Sequence, residues 1–379
     1  MVIASTTSLQ NAPEAKTEPG TRIAALNENL RKREAGVQGR ILCVLFCALS
    51  LVLLGGNGQV AAAAPKASAG HPRISQWTLP LGKYEPGSIV AGNGDSAWFA
   101  INDYSPRLSA HEAEVERITA SGGRSPFPVG PYVWDVARGP GGIWFSREGY
   151  VGQIGPDGEV RQFPVPTGSS DAFSLAAGPG GYMWLTKRNQ SGRPAILRIS
   201  RKGSVKAYPL PNRSSNPVEI TRGSDGAMWF TEDFGRRIGR ITASGKVTEY
   251  PLGVQPVGGL AYGPEGNIWF QTYGAIGRLS PSSGKVALFR RPGVGGPLVV
   301  GPDSHIWFAQ DFGKIGRITP KGHFSVIALP GHVTTVKGLA VGQDGSVWYT
   351  AERQRTGQTG VVGRMLPAAN ASGPGRSPS

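Results

Sequence analysis

The stretch Gly223–Leu252, GSDGAMWFTEDFGRRIGRITASGKVTEYPL, decides the fold of this chain. It begins with a Gly- and Asp-containing turn and continues into an apolar strand centred on Trp229. A loop, a second strand at Ile238–Ile241 and an alternating third strand ending at Pro251 follow. β-Branched and aromatic residues favour strands, whereas Gly and Asp favour turns. The stretch therefore predicts a small antiparallel sheet, and every other ordered part of the chain is a variation on it.

Tryptophan recurs in this setting at spacings of 46, 40, 45, 40, 38 and 41 residues. A repeat near 40 residues that is built from strands and turns is typical of a β-propeller. The 56 Gly and 31 Pro residues suit many short strands joined by turns. The sequence thus predicts an all-β, seven-bladed β-propeller of four-stranded blades, with one Trp filling the gap beside each blade. The repeated tryptophans are Trp98, Trp144, Trp184, Trp229, Trp269, Trp307 and Trp348.

The two ends of the repeat region are incomplete in a complementary way. The last unit ends with a third strand at Val361–Met365, whereas an unpaired outer strand, Ile74–Pro80, precedes the first unit. We expect the N-terminal strand to complete the last blade, because a closed ring leaves no open sheet edge. The predicted propeller spans residues 70–366, and the tail 367–379 is too poor in apolar residues to order itself.

The N-terminal region predicts export. Residues 1–40 form a polar leader, and residues 41–69 contain the apolar run Ile41–Leu54 followed by small-residue sites at 61–64 and 67–69. A run of this length is short for a membrane helix and is typical of a signal peptide. We expect an exported protein that is periplasmic or secreted, with membrane anchoring by residues 41–54 as the alternative. Both cysteines, Cys43 and Cys47, lie in this run, so the propeller has no disulfide and no cysteine-based metal site.

The formal net charge of +15 favours a soluble basic exported protein. The Lys and Arg residues are spread over the repeats, and the sequence contains neither a basic helix nor a nucleic-acid-binding motif. We therefore expect a monomer without a nucleic-acid partner.

Candidate site residues lie on the face of the propeller where the inner strands begin. One sector carries the aromatic residues Trp134 and Phe173 and the acids Asp135, Glu219 and Glu232. These five residues are the predicted ligand-binding residues, and they suit a ring-bearing small molecule that stacks on one side of the mouth. The alternative is a solvated rim without a ligand. The predicted rim positions are Gly87, Trp134, Phe173, Val218, Gly258, Gly296 and Lys337.

The blocks Trp-Phe-Thr/Ser-Glu and Ile-Gly-Arg-Ile-Thr-x-x-Gly and the outer strand Glu-Tyr-Pro-Leu resemble the streptogramin B lyase (virginiamycin B lyase) family. The resemblance covers residues 74–366. It implies a propeller that opens a cyclic depsipeptide at its ester bond by elimination, with a magnesium ion as cofactor. It also implies a small-molecule ligand, a cyclic peptide or a sugar, at the channel mouth.

The family pattern places a His at the head of the inner strand in each of the last two blades. Carried over, these positions are Gly296 and Lys337, and a family Glu falls at Thr335. A further family Glu is retained as Glu352. The resemblance therefore implies Glu352 as a metal ligand and catalytic residue. Lys337 is the second candidate catalytic residue, because a desolvated lysine can act as a base.

Three functions remain open from the sequence. The first is a lyase that opens a cyclic ester or a similar substrate by metal-assisted elimination. The second is a non-catalytic propeller of the cell envelope that binds a ligand or partner through the same mouth. A lactonase-like enzyme with a calcium cage ranks last, because the acids are scattered along the rim.

Overall fold

The structure, a computed structural model, describes residues 72–79, 84–103, 113–165, 172–188, 192–353 and 359–367. The polar leader, the predicted signal segment and the tail lie outside these residues and stay predictions. Among the described residues, no helix combines the length and the apolar character needed to span a membrane.

Within this part of the chain, antiparallel strands form seven sheets of four strands each, which confirms the predicted all-β propeller. Blades 1 and 2 contain β2 (Tyr84–Ala91), β3 (Ser96–Asp103), β4 (Ala113–Thr119), β5 (Arg124–Gly130), β6 (Val133–Gly139), β7 (Gly142–Arg147), β8 (Tyr150–Ile154) and β9 (Val160–Pro164). Blades 3 and 4 contain β10 (Ala172–Ala177), β11 (Met183–Lys187), β12 (Ala195–Ile199), β13 (Val205–Pro209), β14 (Pro217–Arg222), β15 (Met228–Glu232), β16 (Arg237–Ile241) and β17 (Val247–Pro251). Blades 5 and 6 contain β18 (Pro256–Tyr262), β19 (Ile268–Thr272), β20 (Ala275–Ser280), β21 (Lys285–Arg290), β22 (Val294–Val300), β23 (Ile306–Gln310), β24 (Lys314–Ile318) and β25 (Phe324–Ala328). Blade 7 contains β26 (Val333–Val341), β27 (Val347–Arg353), β28 (Thr359–Leu366) and the N-terminal strand β1 (Arg73–Thr78).

The ring closes as the sequence predicts. Strand β1 pairs antiparallel with β28, and Ile74 lies opposite Met365 in the register. The outer edge of blade 7 is therefore supplied by the residues that precede blade 1. This pairing ties the two ends of the propeller together by backbone hydrogen bonds.

The repeated tryptophans pack between neighbouring blades. Trp229 of blade 4 belongs to a cluster with Leu260 and Ile268 of blade 5. Six of the seven tryptophans are at most 3% exposed, whereas Trp98 of blade 1 is only half-buried. The prediction of a structural Trp is thus confirmed for six blades; Trp98 also packs against the core cluster of blades 1 and 2, but it is only half-buried.

The glycine of the Ile-Gly-Arg motif makes room for an aromatic ring. In blade 5, Phe270 of β19 lies opposite Gly277 of β20, and a Cβ atom at residue 277 would overlap the Phe270 ring. Blades 4 and 6 repeat this pairing with Phe230 and Gly239 and with Phe308 and Gly316. Blade 3 replaces both partners, because Leu185 lies opposite Leu197.

The arginine of the same motif makes structural contacts, as predicted. In blade 4, Arg240 Nε donates to Asp225 Oδ2 at 2.7 Å, and its guanidinium lies 5.7 Å from the centre of the Trp229 ring. Blades 6 and 7 repeat the ion pair between the third strand and the turn, with Arg317 and Asp303 and with Arg364 and Asp344.

Each first strand leaves regular pairing where it begins. In β14 the register with β15 shifts between Pro217 and Ile220, and the other six first strands show an equivalent shift. Such irregularities re-aim side chains and free backbone groups. The shifted residues therefore present their side chains at the mouth of the central channel rather than within a flat sheet.

Candidate ligand site at the channel mouth

A cavity of about 420 Å³ lies at the mouth of the channel. Residues at the shifted starts of the first strands line it, and all seven blades contribute. A volume of this size holds a small ligand or one part of a larger ligand. Two separate clusters of ionisable side chains border the cavity, and all of their members line it except Glu352.

The first cluster joins Lys337 to two carboxylates. Lys337 Nζ lies 2.8 Å from Glu352 Oε1 and 2.9 Å from Glu85 Oε1. Lys337 and Glu352 belong to blade 7, whereas Glu85 comes from the first strand of blade 1. The structure therefore brings the two predicted catalytic residues into direct contact and adds a carboxylate from the neighbouring blade.

This arrangement keeps the lysine charged. Desolvation lowers the pKa of Lys337, but hydrogen bonds to Glu352 and Glu85 outweigh it and hold the pKa above its ordinary value. Burial and the nearby Glu85 carboxyl raise the pKa of Glu352, against the effect of the Lys337 ammonium. The ammonium is thus a hydrogen-bond donor and a fixed positive charge, and the proton it already holds prevents it from acting as a base.

The residues present at this position do not fit a magnesium ion. The Lys337 ammonium already lies between the two carboxylates that an ion would need as ligands. Two positive charges at one position repel each other strongly in a partly desolvated site. Nor does any group of three or more His, Cys, Asp or Glu in the described residues come close enough to hold a metal ion.

The second cluster consists of Asp135, Ser174 and Glu219 on three successive blades. Ser174 Oγ lies 3.2 Å from Asp135 Oδ2 and 3.3 Å from Glu219 Oε2. The backbone N–H of Leu175 donates to Asp135 Oδ2 at 3.0 Å, which fixes this carboxyl. One hydroxyl carries a single proton, so it can donate to only one of the two carboxyls at a time. A proton on the other carboxyl completes the contact.

The pKa values of both acids favour this shared proton. Burial raises the pKa of Asp135 from 3.8 to about 6, despite hydrogen bonds from the Leu175 and Val136 backbone. Burial and the Asp135 charge raise the pKa of Glu219 from 4.5 to about 7. Near neutral pH the pair therefore exchanges a proton readily, which is the property of a general acid or base.

The remaining predicted ligand-binding residues fall in different places. Trp134 lines the cavity, and its ring centre lies 4.3 Å from that of Tyr132. Phe173 lies in strand β10, but its side chain is outside the described part of the structure. Glu232 does not line the cavity: its side chain is fully buried at the end of β15, where it accepts a hydrogen bond from the Ser215 hydroxyl.

The opposite sector of the mouth is rich in glycine, as the sequence indicates. Gly258 and Gly296 line the cavity, and both have positive φ angles, of 76° and 88°. Beside this sector, the loops after the second strands of blades 4, 5 and 6 expose large aromatic rings at 64%, 80% and 82%. The exposed rings are those of Phe234, Tyr273 and Phe312. One side of the mouth thus has glycines and exposed aromatic rings, and the other side has charged groups.

Two residues of the site were missed from the sequence. Glu85 stands two positions before the rim residue Gly87, the same offset at which Thr335 precedes Lys337. Ser174 follows Phe173 directly and was not singled out, because serine is common in any strand and turn. Both residues stand next to or near a rim position. They can be identified when the neighbours of the rim residue are compared across all seven units, and not the rim residues alone.

The sequence matches the model of the virginiamycin B lyase family over residues 67–258 and 253–370. The chain is a member of the virginiamycin B lyase family. Comparison with curated proteins gave no match.

Among solved structures, this family member is similar to a streptogramin B lyase, at 27% identity and a TM-score of 0.65, covering 78% of this chain and 98% of the other. It is also similar to a catalytically inactive histidine-to-alanine variant of virginiamycin B lyase from Staphylococcus aureus with quinupristin. Identity is 25%, the TM-score is 0.66, and 78% of this chain and 99% of the other are covered. The WD40 propeller domain of Doa1 has 12% identity and a TM-score of 0.58, covers 76% of this chain and 95% of its own, and shares the fold alone.

Proposed function

We propose that this virginiamycin B lyase-family propeller is an exported protein that binds a ring-bearing ligand, such as a cyclic peptide or cyclic ester, at the channel mouth. The observation that carries the proposal is the cavity of about 420 Å³, to which all seven blades contribute. It offers Trp134 for stacking and the Lys337 ammonium for a ligand carbonyl or carboxylate. The exposed aromatic loops of blades 4–6 extend this surface for a ligand larger than the cavity.

Elimination of the family kind is not favoured by the residues at the site. The solved relative is described as catalytically inactive once a histidine is replaced by alanine. At the two family histidine positions this chain has Gly296 and Lys337. Neither supplies a base, because glycine has no side chain and Lys337 is held protonated. Binding without elimination of this kind is therefore the function that the geometry supports best.

A second candidate is an elimination with a different base. Glu219, with a pKa of about 7, lines the same cavity as Lys337. A carboxylate of this pKa can accept an α-proton near neutral pH; as the carbon–carbon double bond forms, the β C–O bond of the ester breaks and its carboxylate leaves. The Lys337 ammonium in the same cavity supplies a positive charge for the negative charge that develops. This candidate needs neither the family histidines nor a metal ion.

Quinupristin, the compound present with the solved relative, is the probe that separates these functions. Titration calorimetry should show saturable binding to the wild-type protein, weakened at least about tenfold by Trp134→Ala, since a stacked aromatic ring dominates such contacts. Tyr150→Ala, which removes an exposed ring outside the cavity, is the matched control and should bind normally.

Chromatography of the same mixtures shows whether the ring of the ligand is opened. Intact quinupristin supports binding alone, whereas a ring-opened product that disappears in Glu219→Gln supports the second candidate. Absence of binding, or equal binding by Trp134→Ala, contradicts the proposal.

A further inference from the structure

A second groove lies between blades 1 and 2, on the face opposite the channel mouth. It has a volume of about 610 Å³ and is lined by the turns that join the first and second strands and the third and fourth strands. Trp98, the half-buried member of the seven repeated tryptophans, forms part of its wall. The ring of Phe127 lies beside it, with ring centres 5.1 Å apart. The groove therefore presents aromatic surface that the other blades bury.

The same groove contains an arginine that lacks the turn-acid partner found for the equivalent arginines of blades 4, 6 and 7. Arg117 occupies the position of Arg240 and Arg317, which pair with the turn residues Asp225 and Asp303. In blade 1 the equivalent turn position, four residues before the Trp, is Gly94. Among the described residues, Arg117 has neither the ion pair nor a cation–π contact with its Trp, and its side chain is exposed.

A second arginine reaches the groove from blade 2. Arg138 Nη1 donates to the carbonyl of Gly92 at 3.3 Å, and its other terminal nitrogen donates to the Asn93 side chain. Asp157 also lines the groove and is the one acid among its lining residues. The lining thus has two guanidinium groups and one carboxylate, and it retains a net positive charge.

The groove between blades 6 and 7 provides an internal comparison. It lies at the equivalent place and has a volume of about 450 Å³. There, Trp307 is 3% exposed and Arg317 is paired with Asp303. The two grooves therefore differ at the turn: in blade 6 the arginine is paired with an acid beside a buried Trp, whereas in blade 1 the acid position is Gly94 and Trp98 is half-buried.

We infer that the groove between blades 1 and 2 is a binding site for an anionic ring compound, a flat ring that carries a sulfonate, carboxylate or phosphate group. The ring packs against Trp98 and Phe127. Arg117 and Arg138 donate hydrogen bonds to the anionic group, as guanidinium groups do with planar oxyanions. This site lies on the face opposite the channel mouth and does not depend on the ligand proposed there.

Naphthalene-2-sulfonate is a suitable probe, with the neutral naphthalene-2-methanol as its matched analogue. Titration calorimetry on the whole propeller should show saturable binding of the sulfonate and at least about tenfold weaker binding of the alcohol, because the charge-assisted hydrogen bonds are lost. Arg117→Met should weaken sulfonate binding by a similar factor. Arg317→Met, which removes the equivalent arginine from the groove between blades 6 and 7, should leave it unchanged.

Two further measurements test the same site. Arg138→Met tests the second guanidinium, and thermal unfolding shows whether each variant is folded. Quinupristin at saturating concentration should not compete with the sulfonate, since the two sites are on opposite faces. Equal binding of the sulfonate by Arg117→Met and wild type, equal binding of the neutral alcohol, or competition by quinupristin would each overturn the assignment.

Discussion

Glu232 is a carboxylic acid buried inside blade 4, away from the channel cavity. Its Oε2 accepts a hydrogen bond from Ser215, and its Oε1 has no hydrogen-bond partner among the described residues. Burial raises the pKa of Glu232 from 4.5 to about 7, against the lowering by the Ser215 hydrogen bond; the Glu249 charge adds a smaller rise and Arg237 a smaller lowering. The folded protein therefore keeps this acid mostly neutral below about pH 7.

Glu232→Gln should make the protein more stable at high pH relative to the wild type. Because the pKa is raised on folding, the folded wild type binds more protons than the unfolded chain between pH 4.5 and 7, and its stability falls as the pH rises through this window. The shift corresponds to a loss on the order of 3 kcal/mol above pH 7, which the uncharged amide avoids. Thermal unfolding from pH 4 to 8 measures the difference between the two proteins. Glu159→Gln, at an exposed carboxylate, is the control and should not show this rise; a pH-independent difference for Glu232→Gln would contradict the assignment.

Lys337→Met should convert the first cluster into a cation site. The change leaves the carboxylates of Glu85 and Glu352 facing a position that no longer holds a positive charge. Carboxylate oxygens are the preferred ligands of calcium and magnesium. We expect calorimetry to show at least about tenfold tighter binding of Ca²⁺ or Mg²⁺ by the variant than by the wild type.

The double variant Lys337→Met, Glu352→Gln should lose most of this gain, and Lys246→Met, at an exposed lysine elsewhere, should show none. Wild-type protein that binds magnesium as tightly as the Lys337→Met variant would show that the ammonium does not occupy the place of a metal ion.

At the scale of the strand pair, the repeat places an aromatic side chain of the second strand against a glycine of the third strand. Phe270 and Gly277 in blade 5 are one example, and blade 3 uses Leu185 and Leu197 instead. Both solutions fill the same space between the second and third strands. The Ile-Gly-Arg motif therefore reflects packing, since the glycine accommodates the ring and the arginine pairs with the turn.

Gly277→Ala should destabilise the protein by about 2 kcal/mol, because an added Cβ overpacks the core beside Phe270. The pair Phe270→Leu, Gly277→Leu, which copies blade 3, should cost less than the sum of its two single changes. Chemical denaturation of the four proteins measures this coupling. Additive costs would show that ring and glycine do not share one space.

The whole molecule is a ring with a cavity at the channel mouth on one face and a groove between blades 1 and 2 on the other. The shifted starts of the first strands gather Lys337, Glu85 and Glu352 on one side of the mouth. Asp135 of blade 2 and Glu219 of blade 4 both contact Ser174 of blade 3, which lies between them. The opposite face carries the groove at Trp98. Closure by β1 holds these clusters in register, because each one joins residues from different blades.

The sequence by itself determined the number of blades, the place of the tryptophans and the closing strand. These features follow from a local pattern that repeats about every 40 residues, and a local pattern is readable one unit at a time. It also placed Trp134, Asp135, Glu219, Lys337 and Glu352 near the rim, since their distance from each repeated Trp is fixed by strand length.

Only the tertiary structure decided which of these residues meet. Lys337 and Glu85 are 252 positions apart, and they form a contact because the ring brings blade 7 beside blade 1. Glu232 has the offset of a rim acid, yet Ser215 and the loop of blade 4 bury it. Trp98 has the spacing of a core residue, yet it stays half-buried in the wall of the groove between blades 1 and 2. Contacts between blades depend on side chains from distant units, and no repeat contains that information alone.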